Sequence, residues 1–265
     1  MIKMLVCDID GTIFNGKAFT ENLVNCINRI RKDGVKFVIA TGRTFYSANQ
    51  IIKPLNVDTP VICYQGATIH TPSGEIIYEI GLERNLSLDI LNYLKTMDIY
   101  PNIYINDRLF CEKETEHVKK YSDFQLIPYT IVPDISKNDF KTLNKILVID
   151  NDTKKIERLT SHLKEKYGDK IYTAMSTPYF CEICASGVSK GNAVNYVAKM
   201  YDIKKEEIMS CGDQNNDIEL LTCAGIGIAM GNATDILKSY ADYITDTVNN
   251  DGVVKAVEKF IYGEK

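Results

Sequence analysis

Met4-Leu5-Val6-Cys7-Asp8-Ile9-Asp10-Gly11-Thr12 runs from four apolar residues straight into two carboxylates set one residue apart. A short apolar run broken by glycine and a polar residue reads as a buried strand ending in a loop. On such a loop Asp8 and Asp10 can face one crevice. Carboxylates converging there repel each other unless a cation or a shared proton relieves them. The stretch therefore suits Mg²⁺ binding and acid–base chemistry. Asp-x-Asp-Gly also makes ordinary turns, because Asp and Gly favour turn geometry. It does not open an EF-hand here: Gly11 follows Asp10 at once, Thr12 stands where a third acidic ligand belongs, and no glutamate closes the loop at the needed distance.

Outward from this strand, Leu23, Val24, Ile27 and Ile30 recur at helical spacing, with Thr20 as N-cap and Gly34 as the stop. Lys36 to Ala40 is the next apolar strand and runs into Thr41-Gly42-Arg43. Phe45, Ala48, Ile51 and Ile52 mark a second helix, and Val61-Ile62-Cys63 a third strand before Gly66. This alternation predicts parallel strands with helices on both faces. The rhythm changes near Gly81. Leu88, Leu91, Leu94 and Met97 suggest a helix, and the strands Ile103-Tyr104-Ile105 and Leu109-Phe110-Cys111 flank a hairpin turn at Asn106-Asp107. Lys145 to Asp150 reads as a strand, followed by a helix through Ile156, Leu159 and Leu163. Half of the 16 tyrosines lie in this region, so it forms a block of different character. After Gly187 the alternation returns: a helix through Ala193, Val194, Val197 and Ala198, a strand Ile208–Cys211 entering Gly212-Asp213, a helix through Ile218, Leu220 and Leu221, and strands at 226–229 and 243–244. The expected fold class is α/β. A Rossmann-like parallel-sheet core built from residues 1–82 and 187–265 is interrupted by an inserted α+β domain at 83–186.

Composition narrows the function classes. A net charge of −4 gives no general attraction to nucleic acid or anionic membrane. The three histidines, at 70, 117 and 162, are too scattered for a His-based zinc site. Cys181 and Cys184 have Cys-x-x-Cys spacing, but Tyr179 to Ala185 reads as a strand rather than a redox loop opening a helix. These and the other cysteines are expected to be structural thiols in a reducing cytoplasm. No signal-peptide pattern and no apolar stretch of membrane-spanning length is visible. Gly225-Ile226-Gly227-Ile228-Ala229-Met230-Gly231 resembles a dinucleotide fingerprint only loosely: three residues, not two, precede the last glycine, and the run reads as strand. No Walker A sequence is present.

The polar residues collect at predicted strand ends. In open α/β sheets the ligand lies beyond the carboxyl ends of the strands. Asp8, Asp10, Thr41, Gly42, Asp213 and Asp217 could meet there although they are far apart in sequence. Aspartates supply the oxygen ligands Mg²⁺ prefers; Thr41 offers a hydroxyl, and Gly42 a backbone N–H that a side chain would block. Lys190 falls where a helix begins, against the helix dipole, and is best understood if it faces an anion. Singly, each has a plain alternative: a strand-ending turn at Thr41-Gly42, a solvated surface lysine, turn and N-cap residues at 212–217. Their order and placement together favour a site.

These segments resemble the four motifs of the haloacid dehalogenase superfamily, specifically its Cof-type phosphatases with a type IIB cap. The segments are Asp8-Ile9-Asp10-Gly11-Thr12, Ala40-Thr41-Gly42-Arg43, Val188-Ser189-Lys190-Gly191 and Gly212-Asp213-Gln214-Asn215-Asn216-Asp217. The resemblance covers nearly the whole chain, because the family also carries its cap between the second and third motifs. Gln65-Gly66 departs from the family's Asn-Gly after the third strand. The resemblance implies Asp8 as nucleophile, Asp10 as general acid and base, and Mg²⁺ held by Asp8, the backbone carbonyl of Asp10, and Asp213. It implies phosphoryl contacts from Thr41, Gly42, Lys190 and Asn216. Asp217 would orient Lys190 or a metal-bound water; Arg43 would touch substrate or pair with an acid. The expected partner is a small phosphorylated metabolite. Sugar phosphates, flavin mononucleotide and pyridoxal phosphate all remain open, as does the oligomeric state. A sugar phosphomutase and a non-catalytic phospholigand-binding protein are the rival readings; the second fits poorly with retention of both Asp8 and Asp10. Tyr100, Tyr104 and Tyr179 could stack on a substrate ring, although aromatic residues on small sheets usually build the core.

Overall fold

The computed structural model describes residues 1–263. Met4–Cys7 forms a fully buried strand, as an apolar run flanked on both faces must. It lies between Lys36–Ala40 and Ile208–Gly212, parallel to both, with Cys7 opposite Ile39 and Cys211. The whole sheet has eight strands in the order Tyr243–Ile244, Ile226–Ala229, Ile208–Gly212, Met4–Cys7, Lys36–Ala40, Val61–Cys63, Thr68–His70, Ile76–Glu79. The strands from Tyr243–Ile244 through Val61–Cys63 are parallel. Thr68–His70 turns back antiparallel and the half-exposed Ile76–Glu79 lies beside it. These two edge strands were not foreseen, because their short runs lack a long apolar signal. The run at 226–229 is a strand, as expected, not a nucleotide-binding turn.

Helix Glu21–Lys32 shows why the alternation was readable. Thr20 Oγ1 accepts the Leu23 N–H at 3.2 Å, and Leu23, Cys26, Ile27 and Ile30 form the buried stripe. The chain leaves Met4–Cys7 toward Lys36–Ala40, while Ile208–Gly212 joins on the other side. That reversal opens a crevice beyond the carboxyl ends of these strands.

The chain divides into two units. The first holds Met1–Gly42, Ile51–Tyr78 and the chain from Ser189 onward; the second holds Arg43–Gln50 and Glu79–Val188. The expectation from sequence kept all of 1–82 in the core, whereas Arg43–Gln50 clusters with the second unit. The cause is local. Asp107 accepts the Phe45 and Tyr46 N–H groups at 3.0 and 2.9 Å, and Gln50 Nε2 donates to the Leu126 carbonyl at 3.0 Å.

The second unit is α+β. Its six-stranded sheet runs Ile171–Ala174, Phe180–Ala185, Lys145–Ile149, Asn102–Ile105, Arg108–Cys111, Tyr129–Ile131. All pairs are antiparallel except the last. The hairpin turn falls at Asn106-Asp107, both with positive φ (49° and 61°), as a type I′ turn requires. Helix Arg84–Thr96 buries Ser87, Ile90, Leu91 and Leu94, whereas Leu88 is only half-buried and Met97 lies exposed past its end. The predicted face was thus rotated by part of a turn. Cys181 and Cys184 sit buried in a strand, as expected. Tyr104 is fully buried and Tyr179 is exposed. No helix among the described residues is long and apolar enough to cross a membrane.

Candidate active site

Strand register alone carries the first residues together. With Cys7 opposite Ile39 and Cys211, Asp8 lies beside Ala40 and Gly212, and Thr41 and Asp213 follow one step on. The Asp8 N–H donates to the Cys211 carbonyl at 3.1 Å, so the ladder continues through Asp8. Gly11 then turns the chain at φ +77°, and a side chain there would place its Cβ 2.3 Å from Asp213 Oδ2. Glycine at this point admits the loop and the Asp213 carboxylate together.

Lys190 opens helix Lys190–Met200 behind Ser189, whose hydroxyl accepts the Asn192 N–H at 3.1 Å. The ammonium is buried and faces anions, as its position against the dipole required: Asp217 Oδ1 at 2.6 Å and Asp8 Oδ1 at 2.9 Å. Asp217 thus forms an ion pair with Lys190. Its other oxygen accepts the N–H groups of Asp213 and Gln214 at 2.9 and 3.1 Å. Asp213 is in turn held by Thr12 Oγ1 at 3.1 Å and Gln214 Nε2 at 3.0 Å.

One oxygen each from Asp8, Asp213 and Asp217 lies within 4.8 Å of the others, and all three residues are buried. Burial raises the Asp8 carboxyl well above the usual range; Lys190 opposes the rise, and Asp217, Asp213 and Asp10 add to it. Burial and Asp217 push Asp213 up to about 7. Burial pulls Lys190 down, but Asp217 and Asp8 more than offset it and hold the ammonium firmly charged. One ammonium does not balance three buried carboxylates, so the cluster calls for more positive charge. An all-oxygen set of this kind fits a hard divalent cation. The Asp10 carboxylate is not part of this trio; its residue is half-buried and bridges to Phe14.

Thr41 and Gly42 join through a residue that the motif reading did not assign. The Thr41 carbonyl accepts the Gln65 N–H at 3.0 Å. Gln65, fully buried at φ +60°, accepts Asn216 Nδ2 on Oε1 at 2.9 Å. A Cβ on Gly42 would lie 2.4 Å from Gln65 Nε2, so the glycine makes room for this amide. Asn216 Oδ1 is buried with no hydrogen-bond partner. The only sequence signal for Gln65 was its departure from Asn-Gly. Gly66 has a packing reason as well: a Cβ there would meet the Ser189 carbonyl at 2.2 Å. That close approach sets the start of the Lys190 helix against the third-strand loop. Arg43 belongs to the second unit, where it is buried and donates to Ser47 Oγ at 2.8 Å and Gln125 Oε1 at 3.2 Å.

Residues 5–257 match the family model of the haloacid dehalogenase-like hydrolases, and the chain belongs to that family. Phosphatase YwpJ of Bacillus subtilis (strain 168) is 27% identical, over 98% of this chain and 100% of its own length. The 5-amino-6-(5-phospho-D-ribitylamino)uracil phosphatase YitU of the same organism is 26% identical over 97% of each. Among solved structures, the haloacid dehalogenase subclass IIB sugar phosphatase BT4131 superposes with a TM-score of 0.83 at 26% identity, over 97% of this chain and 98% of that one.

Proposed function

We propose that this phosphoric monoester hydrolase is a Mg²⁺-dependent phosphatase of small phosphorylated metabolites that works through an aspartyl-phosphate on Asp8. The observation that carries the reading is the buried Lys190 ammonium shared between Asp8 and Asp217, inside a trio of carboxylates at a sheet switch point. An ion pair so placed fixes one oxygen of Asp8 and leaves its carboxylate aligned as a nucleophile rather than as a turn residue. The names of the relatives, phosphatases of a ribityl phosphate and of sugars, support a small phosphorylated substrate.

In the proposed chemistry, an Asp8 oxygen bonds to phosphorus as the bond to the leaving oxygen breaks, and Asp10 delivers its proton to that oxygen. Asp10 then takes a proton from water, whose oxygen attacks phosphorus and breaks the bond to Asp8. Free phosphate leaves and both aspartates return to their starting state. Thr41, the Gly42 N–H, Lys190 and Asn216 hold the phosphoryl oxygens, and Gln65 keeps the Asn216 amide in place. Asp8, the Asp10 carbonyl and Asp213 would hold Mg²⁺, with Asp217 positioning Lys190 beside them. Bound there, the ion neutralises charge so that a carboxylate and a phosphate can approach. Residues 83–186 act as the cap and set the leaving-group preference, because the core supplies only phosphate chemistry. Free thiols, all but Cys223 buried, fit a reducing cytoplasm.

The test is phosphate release from a panel of sugar phosphates and phosphorylated cofactors, with Mg²⁺ and with EDTA, beside Asp8→Asn. Mg²⁺-dependent release that disappears in the variant is expected. Turnover that survives in Asp8→Asn removes the nucleophile assignment, and isomer formation without free phosphate replaces the phosphatase with a mutase.

A further inference from the structure

We infer that Asn232, in the loop after strand Ile226–Ala229, is a positioning residue for the cation site: its amide holds the Gly11 turn and so fixes the direction of the Asp10 carbonyl. This deepens the Mg²⁺ reading given above and rests on it.

The loop continues the glycine run 225–231, which binds no nucleotide and has had no role so far. Ala229 lies opposite Gly212 on the neighbouring strand. From there the chain stays against the Asp213 loop. The Met230 N–H donates to the Gly212 carbonyl at 3.0 Å, the Thr234 N–H to the Asp213 carbonyl at 3.1 Å, and Thr234 Oγ1 to Asn215 Oδ1 at 2.6 Å. On its other side the Gly231 N–H donates to the Asp246 carbonyl at 3.0 Å, and a Cβ on Gly231 would lie 2.9 Å from the Asp246 carbonyl carbon and the Thr247 nitrogen. Held on both sides, the loop carries Asn232 to the first motif. Asn232 Nδ2 donates to the Gly11 carbonyl at 2.8 Å, and its Oδ1 accepts the Val248 N–H at 2.9 Å. The residue is exposed, yet both ends of its amide are engaged.

Gly11 is the residue that most needs such a tether. Glycine rotates freely about φ and ψ, and Gly11 stands at φ +77° with its Cα side against the Asp213 carboxylate. The Gly11 N–H donates to the Phe14 carbonyl at 2.9 Å, which fixes the peptide before it. Asn232 fixes the peptide after it. The Asp10 carbonyl shares its peptide with the Gly11 N–H, and in a trans peptide the two point in opposite directions. A Gly11 turn held at both peptides therefore sets where the Asp10 carbonyl points. The loop 230–234 thus bonds to both segments proposed to supply cation ligands, the Gly11 turn and Asp213. Partners behind the ligands of a metal typically contribute about 10–100-fold in affinity. The amide suits the place because it carries a donor and an acceptor on one plane. Aspartate would keep an acceptor for Val248 but set oxygen against the Gly11 carbonyl, and alanine would offer neither.

The experiment is calorimetric titration of the full-length, EDTA-treated protein with Mg²⁺ and no substrate, above about pH 7, where Asp213 is ionised. Wild type is compared with Asn232→Ala, Asn232→Asp and Asn249→Ala, and thermal unfolding without metal checks that each variant folds. Asn249→Ala removes a similar exposed link, Asn15 Nδ2 to Asn249 Oδ1 at 2.9 Å, that joins the same two loops without touching Gly11. Asn232→Ala should bind Mg²⁺ about tenfold more weakly. Asn232→Asp should also bind more weakly, although its added negative charge by itself favours a cation. Asn249→Ala should keep the wild-type affinity. Wild-type affinity in either Asn232 variant overturns the inference. So does an equal loss in Asn249→Ala, because a loosened loop would then account for the effect. A wild type that binds no Mg²⁺ overturns the cation reading itself, and this inference with it.

Discussion

The carboxylate cluster makes the stability of the metal-free protein depend on pH in an unusual direction. Asp213 titrates near 7 in the folded chain instead of near its ordinary 3.8. The folded state therefore keeps a proton that the unfolded chain has already lost. Between those two values the folded state binds more protons, and stability falls as pH rises. The penalty is absent below about pH 4 and complete above about pH 7. At about 1.4 kcal/mol per pH unit, the whole window corresponds to about 4 kcal/mol, an upper value because Asp213 shares its site with other buried carboxylates. For a chain of this size that is roughly 10 °C in Tm. The assay is thermal unfolding in EDTA across this range, for wild type and Asp213→Asn. The variant loses an acceptor for Thr12 or Gln214, about 1 kcal/mol at any pH, so the slope against pH is the readout rather than the offset. Wild type should lose stability relative to the variant as pH rises, and Mg²⁺ should restore it most strongly above about pH 7, where Asp213 is ionised. Parallel curves for the two proteins, or a wild-type advantage that grows with pH, would falsify the account of a cluster short of positive charge.

Lys145 and Glu182 form a second buried pair, at 3.1 Å in the second unit, with both side chains almost fully enclosed. Lys145→Met should cost about 3–5 kcal/mol by taking the Lys145 charge away from the buried Glu182 carboxylate, and the double variant Lys145→Met/Glu182→Leu should regain most of it; urea unfolding followed by circular dichroism decides, and a single variant as stable as wild type refutes it. Asp10→Ala should slow turnover of alkyl phosphates by about 10²–10⁴, the usual range for losing a general acid, and that of p-nitrophenyl phosphate far less, because p-nitrophenolate leaves without a proton. Equal losses for both substrates would remove the general-acid role.

The alternating core was legible because strands such as Met4–Cys7 and Lys36–Ala40 are short apolar runs that end at a polar residue, and helix Glu21–Lys32 carries the buried stripe Leu23, Cys26, Ile27 and Ile30. Those signals are local. The edge strands Thr68–His70 and Ile76–Glu79 lack them, since their place is fixed by pairing with Val61–Cys63 rather than by their own pattern. The helix Glu116–Gln125 was missed for the same reason: only Val118, Tyr121 and Gln125 are buried along it. Within the site, Asp8, Asp213 and Lys190 could be foreseen as a group because each ends a strand or starts a helix, and a parallel sheet brings such ends together. What joins them could not be foreseen. Lys190 choosing two protein carboxylates, and Gln65 joining Asn216 to the Thr41 loop, depend on side-chain reach across 27 and 151 residues of sequence. The Arg43 ambiguity has the same origin. Its neighbours Ser47 and Gln125 come from one turn onward and from a helix 82 residues away. The residue after a strand-end motif thus took its partners from the inserted unit. The helix that follows, Phe45–Ile52, shows the same reach: its first two N–H groups are taken by Asp107, from the hairpin of the second unit.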